Sequence, residues 1–204
     1  LRVAATVLEA AEGRVPVAMG AQTTSTRELR RLARAAAELG CEYIQVSCPF
    51  YFTHTEEDFY EYVCEAADAA DIGIILYNTF WTSAGVSFRL VERLVERVPA
   101  FVGLKWACPR TDAMEFEDVV ASFADHLTVI DNHLMFAMSA MLGARAFEVH
   151  LANYWPEWGV RLVDRVAARD YPEIQRMLVQ EAMPFYKLWV SIEKSYTSGD
   201  GYLD

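Results

Sequence analysis

The feature that most constrains the fold of this chain is a regular alternation of short β-rich runs with amphipathic stretches of helical period. Six β-rich runs, each ending in polar or small residues, cover residues 15–20, 43–49, 72–78, 101–106, 127–132 and 146–153. The amphipathic stretches between them cover residues 26–39, 55–70, 87–98, 113–123 and 133–142. Because the runs are apolar on both faces and alternate with helices, the pattern predicts a parallel sheet covered by helices.

Capping residues mark the boundaries of several predicted helices. Ser25, Thr55 and Ser87 each stand at the start of an amphipathic stretch, where a hydroxyl can accept a hydrogen bond from the first helical turn. Gly40 and Gly143 follow two of these stretches and are typical helix stops. These residues support the helix positions independently of the apolar pattern.

The number of repeats bears on how the sheet closes. A parallel sheet of this kind most often closes as eight βα units, whereas six runs are present here and the chain opens on an amphipathic helix over residues 2–11. We therefore predict a TIM (β/α)8 barrel in a chain that lacks the first two βα units. Two further helices, over residues 155–168 and 171–195, predict a C-terminal helical extension packed on the barrel, within a single domain of residues 1–204.

The composition is typical of a globular domain and argues against several classes of partner. Of the 204 residues, 53% are hydrophobic and 23% are charged, and the net charge is −11. Nucleic acids and anionic membranes attract clustered Lys and Arg, which this acidic chain lacks, so we expect neither as a partner. No apolar stretch approaches the roughly 20 residues that span a bilayer.

The cysteines indicate a reducing compartment. Cys41, Cys48, Cys64 and Cys108 occur at unrelated spacings without a CxxC pair, so neither a zinc site nor a disulfide framework is indicated. The first residues do not form a signal peptide. We therefore predict a cytoplasmic protein, and we expect no cofactor and no bound metal.

One lysine stands out as a candidate nucleophile. Lys105 is one of three lysines, and it lies inside the apolar run Phe101-Val102-Gly103-Leu104-Lys105-Trp106. Loss of hydration in such a run favours the neutral amine, which is the form that attacks a carbonyl to give a Schiff base. A lysine that reaches solvent or pairs with a carboxylate would fit this run equally well. If Lys105 points into the barrel, Phe101 and Gly103 do too, and Gly103 leaves room beside the amine.

Other polar residues stand at the C-terminal ends of the predicted strands, where barrel enzymes place their functional groups. Tyr77 and Asn78 end the third run, and the phenol of Tyr77 is either a proton relay or an aromatic of the barrel interior. In the sixth run Glu148 and His150 share a face that would turn into the barrel. Glu148 could instead form a salt bridge to Lys105 or Arg145, and His150 could be a satisfied core histidine.

A metal-dependent alternative uses the same strand ends. Asp131 and His133 follow the fifth run, and together with Glu148 and His150 they offer metal-ligand chemistry, although their spacing matches no recognised motif. Phosphorylated substrates are disfavoured, because the last two strand ends lack a glycine-rich phosphate turn. The lysine is therefore the better starting point for a mechanism.

Several segments together carry a resemblance to a known family. They are Gly13-Arg14-Val15-Pro16-Val17, Gly20 followed by Ser25-Thr26, Cys48-Pro49-Phe50-Tyr51, Ile75-Leu76-Tyr77-Asn78, Val102-Gly103-Leu104-Lys105, Leu142-Gly143-Ala144 and Ala152-Asn153. The chain resembles the dihydrodipicolinate synthase and N-acetylneuraminate lyase family of Schiff-base-forming (β/α)8 enzymes. The resemblance implies that Lys105 forms an imine with a 2-oxo acid, that Tyr77 relays protons, and that Tyr51 belongs to a relay across a subunit interface of a homotetramer.

The chain also departs from the family pattern. The family's threonine-rich carboxylate-binding turn lies on an earlier strand that this chain does not contain. The synthases carry an arginine for their second substrate after the tyrosine segment, whereas residues 79–83 read Thr-Phe-Trp-Thr-Ser. Glu148 and Trp106 stand where the family usually has other residues, and together with Trp81 they imply an unusual, aromatic-lined pocket. We expect these three residues, together with Asn78 and His150, to contact the substrate.

The sequence therefore predicts a class I aldolase or lyase that makes or breaks a C–C bond next to the carbonyl of a pyruvate-type 2-oxo acid, with an aldehyde as partner substrate. We do not expect a true dihydrodipicolinate synthase. A dehydratase that uses the same imine and a non-catalytic binding relative stay open. The aromatic residues Phe50, Tyr51 and Phe52, beside Tyr60 and Tyr62, are either covered in a homotetramer or homodimer or packed within the subunit.

Overall fold

The computed structural model describes residues 1–79, 85–107 and 113–196. The chain divides into two compact units. The first contains Leu1–His133 and Leu142–Phe147, and the second contains Leu134–Met141 and the residues from Glu148 onward. The prediction of one domain with helices packed on a barrel stays a prediction.

The first unit is built on a parallel sheet of six strands in the order of the chain. The strands are β1 (Ala18–Gly20), β2 (Tyr43–Ser47), β3 (Gly73–Thr79), β4 (Phe101–Ala107), β5 (Thr128–Asp131) and β6 (Ala146–Phe147). Each strand pairs with the next, and all five pairings are parallel. The predicted parallel sheet is confirmed, and each strand lies within one residue of a predicted run or inside it.

Helices connect the strands, as the alternation predicts. The connecting helices are α2 (Thr26–Leu39), α3 (Glu56–Ala67), α4 (Phe88–Arg97) and α5 (Ala113–Phe123), and α1 (Arg2–Ala11) precedes β1. The three predicted N-caps are confirmed, since the hydroxyls of Ser25, Thr55 and Ser87 each accept a backbone N–H from the first turn. Gly40 ends α2 at a φ of 93°, a left-handed conformation that favours glycine.

The two faces of the sheet differ in burial. One face carries fully buried aliphatic side chains, among them Ile44, Leu76 and Leu104, and belongs to the same hydrophobic core as residues of the connecting helices. The other face carries half-buried residues, including Tyr77 and Lys105. The helices therefore cover one face of the sheet, and the two candidate catalytic residues project from the other.

An irregularity in β4 changes which residues share the face of Lys105. The register shifts between Ile74 and Ile75, so Phe101 pairs with Ile74 while Gly103 pairs with Ile75. A bulge of this kind moves every residue before it to the opposite face. Phe101 is accordingly buried in the helix-covered core. The prediction that Phe101 shares the face of Lys105 is wrong.

The sixth strand is much shorter than predicted. β6 ends at Phe147 because its neighbour β5 ends at Asp131, the residue that pairs with Phe147. The chain then forms a 3₁₀ helix over His150–Asn153. The prediction of a strand over residues 146–153 is therefore wrong beyond Phe147, and Glu148 and His150 do not share a strand face.

The second unit is helical within the residues described. It contains most of α6 (Phe136–Leu142), all of α7 (Pro156–Ala167) and α8 (Tyr171–Met177), a π-helical turn over Leu178–Ala182, and α9 (Met183–Tyr196). The two predicted C-terminal helices are thus confirmed, the second with a π turn inside it. No helix among the described residues is both long and apolar enough to cross a membrane.

A buried tryptophan and an ion-pair network hold the second unit together. Trp158 is fully buried, and its ring centroid lies 6.2 Å from that of Phe136. Glu181 receives hydrogen bonds from Arg161 at 2.6 Å and from Arg176 at 2.9 Å. Burial alone would raise the pKa of Glu181, but the two guanidinium groups outweigh it and lower that pKa.

We expect Gly73→Ala to destabilise the first unit by about 1–3 kcal/mol, because an added Cβ would overpack the sheet. That carbon would stand 2.6 Å from Cδ1 of Tyr43 and 3.1 Å from Cγ2 of Val102. Urea denaturation measures the change. The matched control is Gly159→Ala inside α7, where the added carbon meets Ala152 at an ordinary 3.6 Å and helix propensity favours alanine. Equal stability of the two variants would contradict the packing argument.

Candidate active site

Lys105 stands on the half-buried face of the sheet, near the C-terminal end of β4. The parallel register places it directly between Tyr77 on β3 and Ile130 on β5. The same row continues to Ser47 on β2 and Ala146 on β6. Barrel enzymes place their catalytic groups at the C-terminal ends of parallel strands, so this row of residues is a candidate active site.

Tyr77 lies beside the lysine. The Nζ atom of Lys105 is 4.5 Å from the centroid of the Tyr77 ring. The two side chains therefore occupy the same face of the sheet on neighbouring strands, as the sequence predicts. An amine and a phenol at this separation can share one small substrate between them.

A third residue, Asn132, contacts the tyrosine. Its side-chain Nδ2 donates a hydrogen bond of 2.9 Å to the phenol oxygen of Tyr77. The sequence did not single out Asn132 as a site residue, although it stands directly after the fifth predicted run. Its position at a strand end was the available signal. Which partner an amide at that position would reach depends on the strand order, which a single sequence does not give.

The residues on both sides of Asn132 form a compact structural cluster. Asp131 is fully buried, and its Oδ1 accepts the backbone N–H of His133 at 2.8 Å and lies 3.0 Å from the imidazole Nδ1 of His133. The same Nδ1 lies 3.2 Å from the carbonyl oxygen of Trp106. The ring of His133 meets Phe116 edge to face, with the centroids 4.5 Å apart. Asp131 and His133 are thus tied to each other and to the end of β4.

The absence of a side chain at Gly103 makes room for Ile75 rather than for the amine of Lys105. A Cβ at this position would lie 3.1 Å from Cγ1 of Ile75, on the adjacent strand. The missing side chain therefore accommodates Ile75, which corrects the expectation that it leaves space beside Lys105.

Trp106 points away from the lysine. It follows Lys105 in the strand and so faces the helix-covered side, where it is only 1% exposed and its ring centroid is 6.1 Å from that of Phe116. The indole belongs to the hydrophobic core. The prediction that Trp106 binds substrate is therefore wrong, because strand alternation places it on the opposite face from Lys105.

Asn78 also faces the core side and has a structural role. It is buried, and its Oδ1 accepts the backbone N–H of Val86 at 2.9 Å. This bond joins the end of β3 to the segment that leads into α4. The prediction of Asn78 as a substrate-binding residue is wrong for the same reason of alternation. Trp81, the other aromatic residue predicted for the pocket, lies outside the described residues.

Tyr51 lies in the loop after β2 and is exposed. Its side chain is 87% accessible, its φ is 79°, and its ring contacts Phe52 edge to face at 4.8 Å between centroids. Phe50 and Phe52 are exposed as well. The role of Tyr51 in a relay across a subunit interface stays a prediction.

The two tyrosines predicted beside this loop have partners of their own. The guanidinium carbon of Arg93 lies 3.5 Å from the centroid of the Tyr60 ring. Tyr62 is buried and donates a 2.6 Å hydrogen bond to the carbonyl oxygen of Thr23. The packing of these two rings within the subunit fits the alternative that the sequence left open for them.

Glu148 and His150 belong to the second unit. Oε1 of Glu148 lies 4.0 Å from Nε2 of His150, and the His150 ring contacts Tyr186 and Trp189 edge to face. Arg145 and Asp125 are both exposed, and their charged groups lie 3.9 Å apart. The roles predicted for Glu148 and His150 in binding substrate stay predictions.

The metal-dependent alternative gains no support from the geometry. Among the residues that the structure describes, no group of three or more His, Cys, Asp and Glu side chains is arranged to hold a metal ion. Asp131 and His133 lie together, but each is engaged in the cluster at the end of β4 and β5.

Comparison with known proteins identifies the family. The model of the dihydrodipicolinate synthetase family matches residues 1–193. The chain belongs to this family. The membership of the dihydrodipicolinate synthase family that the sequence led us to expect is thereby confirmed.

Among curated relatives, the 4-hydroxy-tetrahydrodipicolinate synthase of Pelobacter propionicus is 31% identical over 180 residues. The alignment covers 87% of this chain and 61% of that synthase. The chain thus spans about three fifths of the length of this family member.

Solved structures of the family share the fold. YagE, a prophage protein of E. coli K12 solved in complex with pyruvate, superposes with a TM-score of 0.80 at 22% identity, covering 88% of this chain and 62% of YagE. CdNal of Clostridium difficile, solved in complex with mannosamine, gives a TM-score of 0.77 at 17% identity, covering 86% of this chain and 61% of CdNal. These likenesses confirm the predicted TIM-barrel fold class, of whose eight strands six lie among the described residues.

Proposed function

We propose that this protein is a class I aldolase or lyase that acts on a pyruvate-type 2-oxo acid through a Schiff base at Lys105. The observation that carries the proposal is the pairing of Lys105 with Tyr77 on adjacent strands, with the amine 4.5 Å from the phenol ring. An amine beside a phenol, near the C-terminal ends of parallel strands, can supply both the nucleophile and the proton transfers of imine formation.

The reaction begins with attack of the neutral Lys105 amine on the ketone carbon of the 2-oxo acid. The amine nitrogen loses a proton and the former carbonyl oxygen gains one, which gives a carbinolamine, and Tyr77 transfers these protons. The hydroxyl of the carbinolamine then takes a proton from Tyr77 and leaves as water, and the nitrogen lone pair forms the C=N bond of the protonated imine. The protonated imine draws electrons towards nitrogen, so the neighbouring carbon can lose a proton and become an enamine. The enamine carbon then bonds to the carbonyl carbon of an aldehyde, whose oxygen gains a proton, and water hydrolyses the imine to release the product and the Lys105 amine. Cleavage follows the same steps in reverse.

The comparisons support the chemistry in outline. Family relatives carry synthase names, such as 4-hydroxy-tetrahydrodipicolinate synthase, and YagE is among the structural neighbours solved with pyruvate. We propose an aldehyde as the second substrate, a homotetramer or homodimer as the assembly, and the cytoplasm as the location. We further propose that the protein is not a true dihydrodipicolinate synthase, because residues 79–83 lack the arginine that the resemblance leads one to expect.

Reductive trapping tests the proposal. When the protein is incubated with pyruvate and borohydride, we expect one pyruvate unit to become covalently attached, and peptide mass spectrometry to place it on Lys105. Borohydride reduces the imine to a stable secondary amine, so the label marks the nitrogen that attacked the ketone.

Two controls define the result. Incubation with borohydride alone should leave the protein unmodified, and an excess of acetate, which has no ketone, should give no label. A protein that stays unmodified with pyruvate, or one labelled at Lys187 or Lys194 instead, would refute the proposal.

A further inference from the structure

We propose that Asn132 is a positioning residue for Tyr77: its side-chain amide holds the phenol beside Lys105 and sets the direction in which the phenol exchanges its proton. The inference rests on the proposed function, because it deepens the role given there to Tyr77. It starts from the 2.9 Å hydrogen bond between Nδ2 of Asn132 and the phenol oxygen.

This hydrogen bond passes over the strand that carries the lysine. Tyr77 is on β3 and Asn132 directly follows β5, whereas Lys105 is on β4, which lies between them in the sheet. The register pairs Lys105 with Tyr77 on one side and with Ile130 on the other. The bond therefore joins two strands that do not pair with each other, and it does so at the end of the strand where the amine stands.

The backbone that carries Asn132 is held from both sides. Its own N–H donates a 2.9 Å hydrogen bond to the carbonyl oxygen of Trp106, the residue after Lys105. The buried carboxylate of Asp131 fixes the next turn by accepting the backbone N–H of His133. Since both neighbours are anchored, the amide is aimed at Tyr77 with little freedom to leave it, as expected of a group that positions a catalytic side chain.

The polarity of the bond determines its chemical effect. An amide N–H can donate but cannot accept, so the phenol oxygen accepts from Asn132 and must direct its own hydrogen at a different group. The same donor stabilises negative charge on that oxygen when Tyr77 gives up its proton. Asn132 thus favours the half of the relay in which Tyr77 acts as an acid towards the carbinolamine.

Two variants separate donation from shape. Asn132→Ala removes the side chain, whereas Asn132→Asp keeps its size but replaces the donor by a carboxylate that only accepts. We expect both to slow the formation of the borohydride-trapped adduct on Lys105, by about tenfold for Asn132→Ala, the value of one lost hydrogen bond. Asn132→Asp should be slower still and should shift the alkaline limb of the pH profile to higher pH, since a nearby negative charge opposes ionisation of the phenol.

A double-mutant cycle shows whether the effect acts through Tyr77. In a Tyr77→Phe background the phenol oxygen is absent, so we expect Asn132→Ala to change the trapping rate by less than about twofold. Equal effects of Asn132→Ala in the two backgrounds, or a normal rate in Asn132→Asp, would overturn the inference. Circular dichroism and thermal unfolding establish that each variant is folded, and Asn132→Asp carries the test if the alanine variant is not.

A spectroscopic readout tests the hydrogen bond without any substrate. In protein labelled with tyrosine at ¹³Cζ, the Tyr77 resonance is assigned by its loss in Tyr77→Phe, and we expect it to shift in Asn132→Ala. An unmoved resonance would overturn the inference whatever the activity. A wild-type protein that pyruvate and borohydride do not label would instead refute the proposed function, so the two failures are distinguishable.

Discussion

Replacement of Lys105 by arginine is expected to lower the rate of C–C bond cleavage or formation by roughly three orders of magnitude or more, because it removes the nucleophile itself. A guanidinium stays protonated at any working pH and does not form an imine. The substitution keeps the positive charge and a long side chain. The Lys105 amine lies 4.5 Å from the centroid of the Tyr77 ring. An arginine guanidinium can make the same cation–π contact, so the sheet should stay folded in the variant.

Lys187→Arg is the matched control, since Lys187 is an exposed lysine of α9 and undergoes the same chemical change. We expect it to leave both turnover and borohydride labelling unchanged. A turnover assay with pyruvate and a panel of aldehydes measures both variants, with a chelator added in parallel. Substantial turnover in Lys105→Arg, or loss of wild-type turnover on addition of chelator, would contradict a lysine imine.

Local patterns were enough to predict the helices and the first five strands. Thr26–Leu39 begins after Ser25 and ends at Gly40, and both its capping residues and its apolar stripe lie within the segment itself. The same holds for the capping box of Thr55 and Asp58. Because such signals depend on neighbours a few residues away, a single sequence contains them in full.

The prediction failed where the outcome depends on contacts between distant segments. The length of β6 is limited by the end of β5 at Asp131, and nothing near residue 148 encodes that limit. The face on which Phe101 lies is set by a register shift against Ile74 and Ile75. Sheet pairing sets both features, so the periodicity of one segment cannot reveal them.

The same contrast between local signals and contacts of distant segments applies to the residues of the candidate site. The juxtaposition of Lys105 and Tyr77 follows from the sequence because each lies near the C-terminal end of a strand, and these ends meet at one edge of a parallel sheet. Trp106 and Asn78 were assigned to the pocket from their proximity in sequence, although alternation turns each away from its neighbour. Asn132 was missed because its partner lies 55 positions away along the chain.

Tyr77→Phe is expected to slow imine formation at Lys105 by about 10²–10⁴-fold, the usual contribution of a positioned acid or base. The substitution removes only the phenol oxygen and keeps the ring that lies beside Lys105. The nucleophile is still present, so prolonged incubation with pyruvate and borohydride should still label Lys105. A time course of trapping measures the rate, and its final extent reports whether the nucleophile survives.

Tyr62→Phe supplies the control for this result, because it removes a phenol oxygen that lies away from the lysine. Tyr62 donates a 2.6 Å hydrogen bond to the carbonyl of Thr23, so its loss should reduce stability by about 0.5–1.5 kcal/mol while leaving the trapping rate unchanged. If Tyr77→Phe instead lowered the stability and left the trapping rate normal, Tyr77 would have only a structural role in the site. Another group would then transfer the protons. A slow rate with full final labelling, by contrast, requires that the phenol oxygen takes part in the steps before the imine.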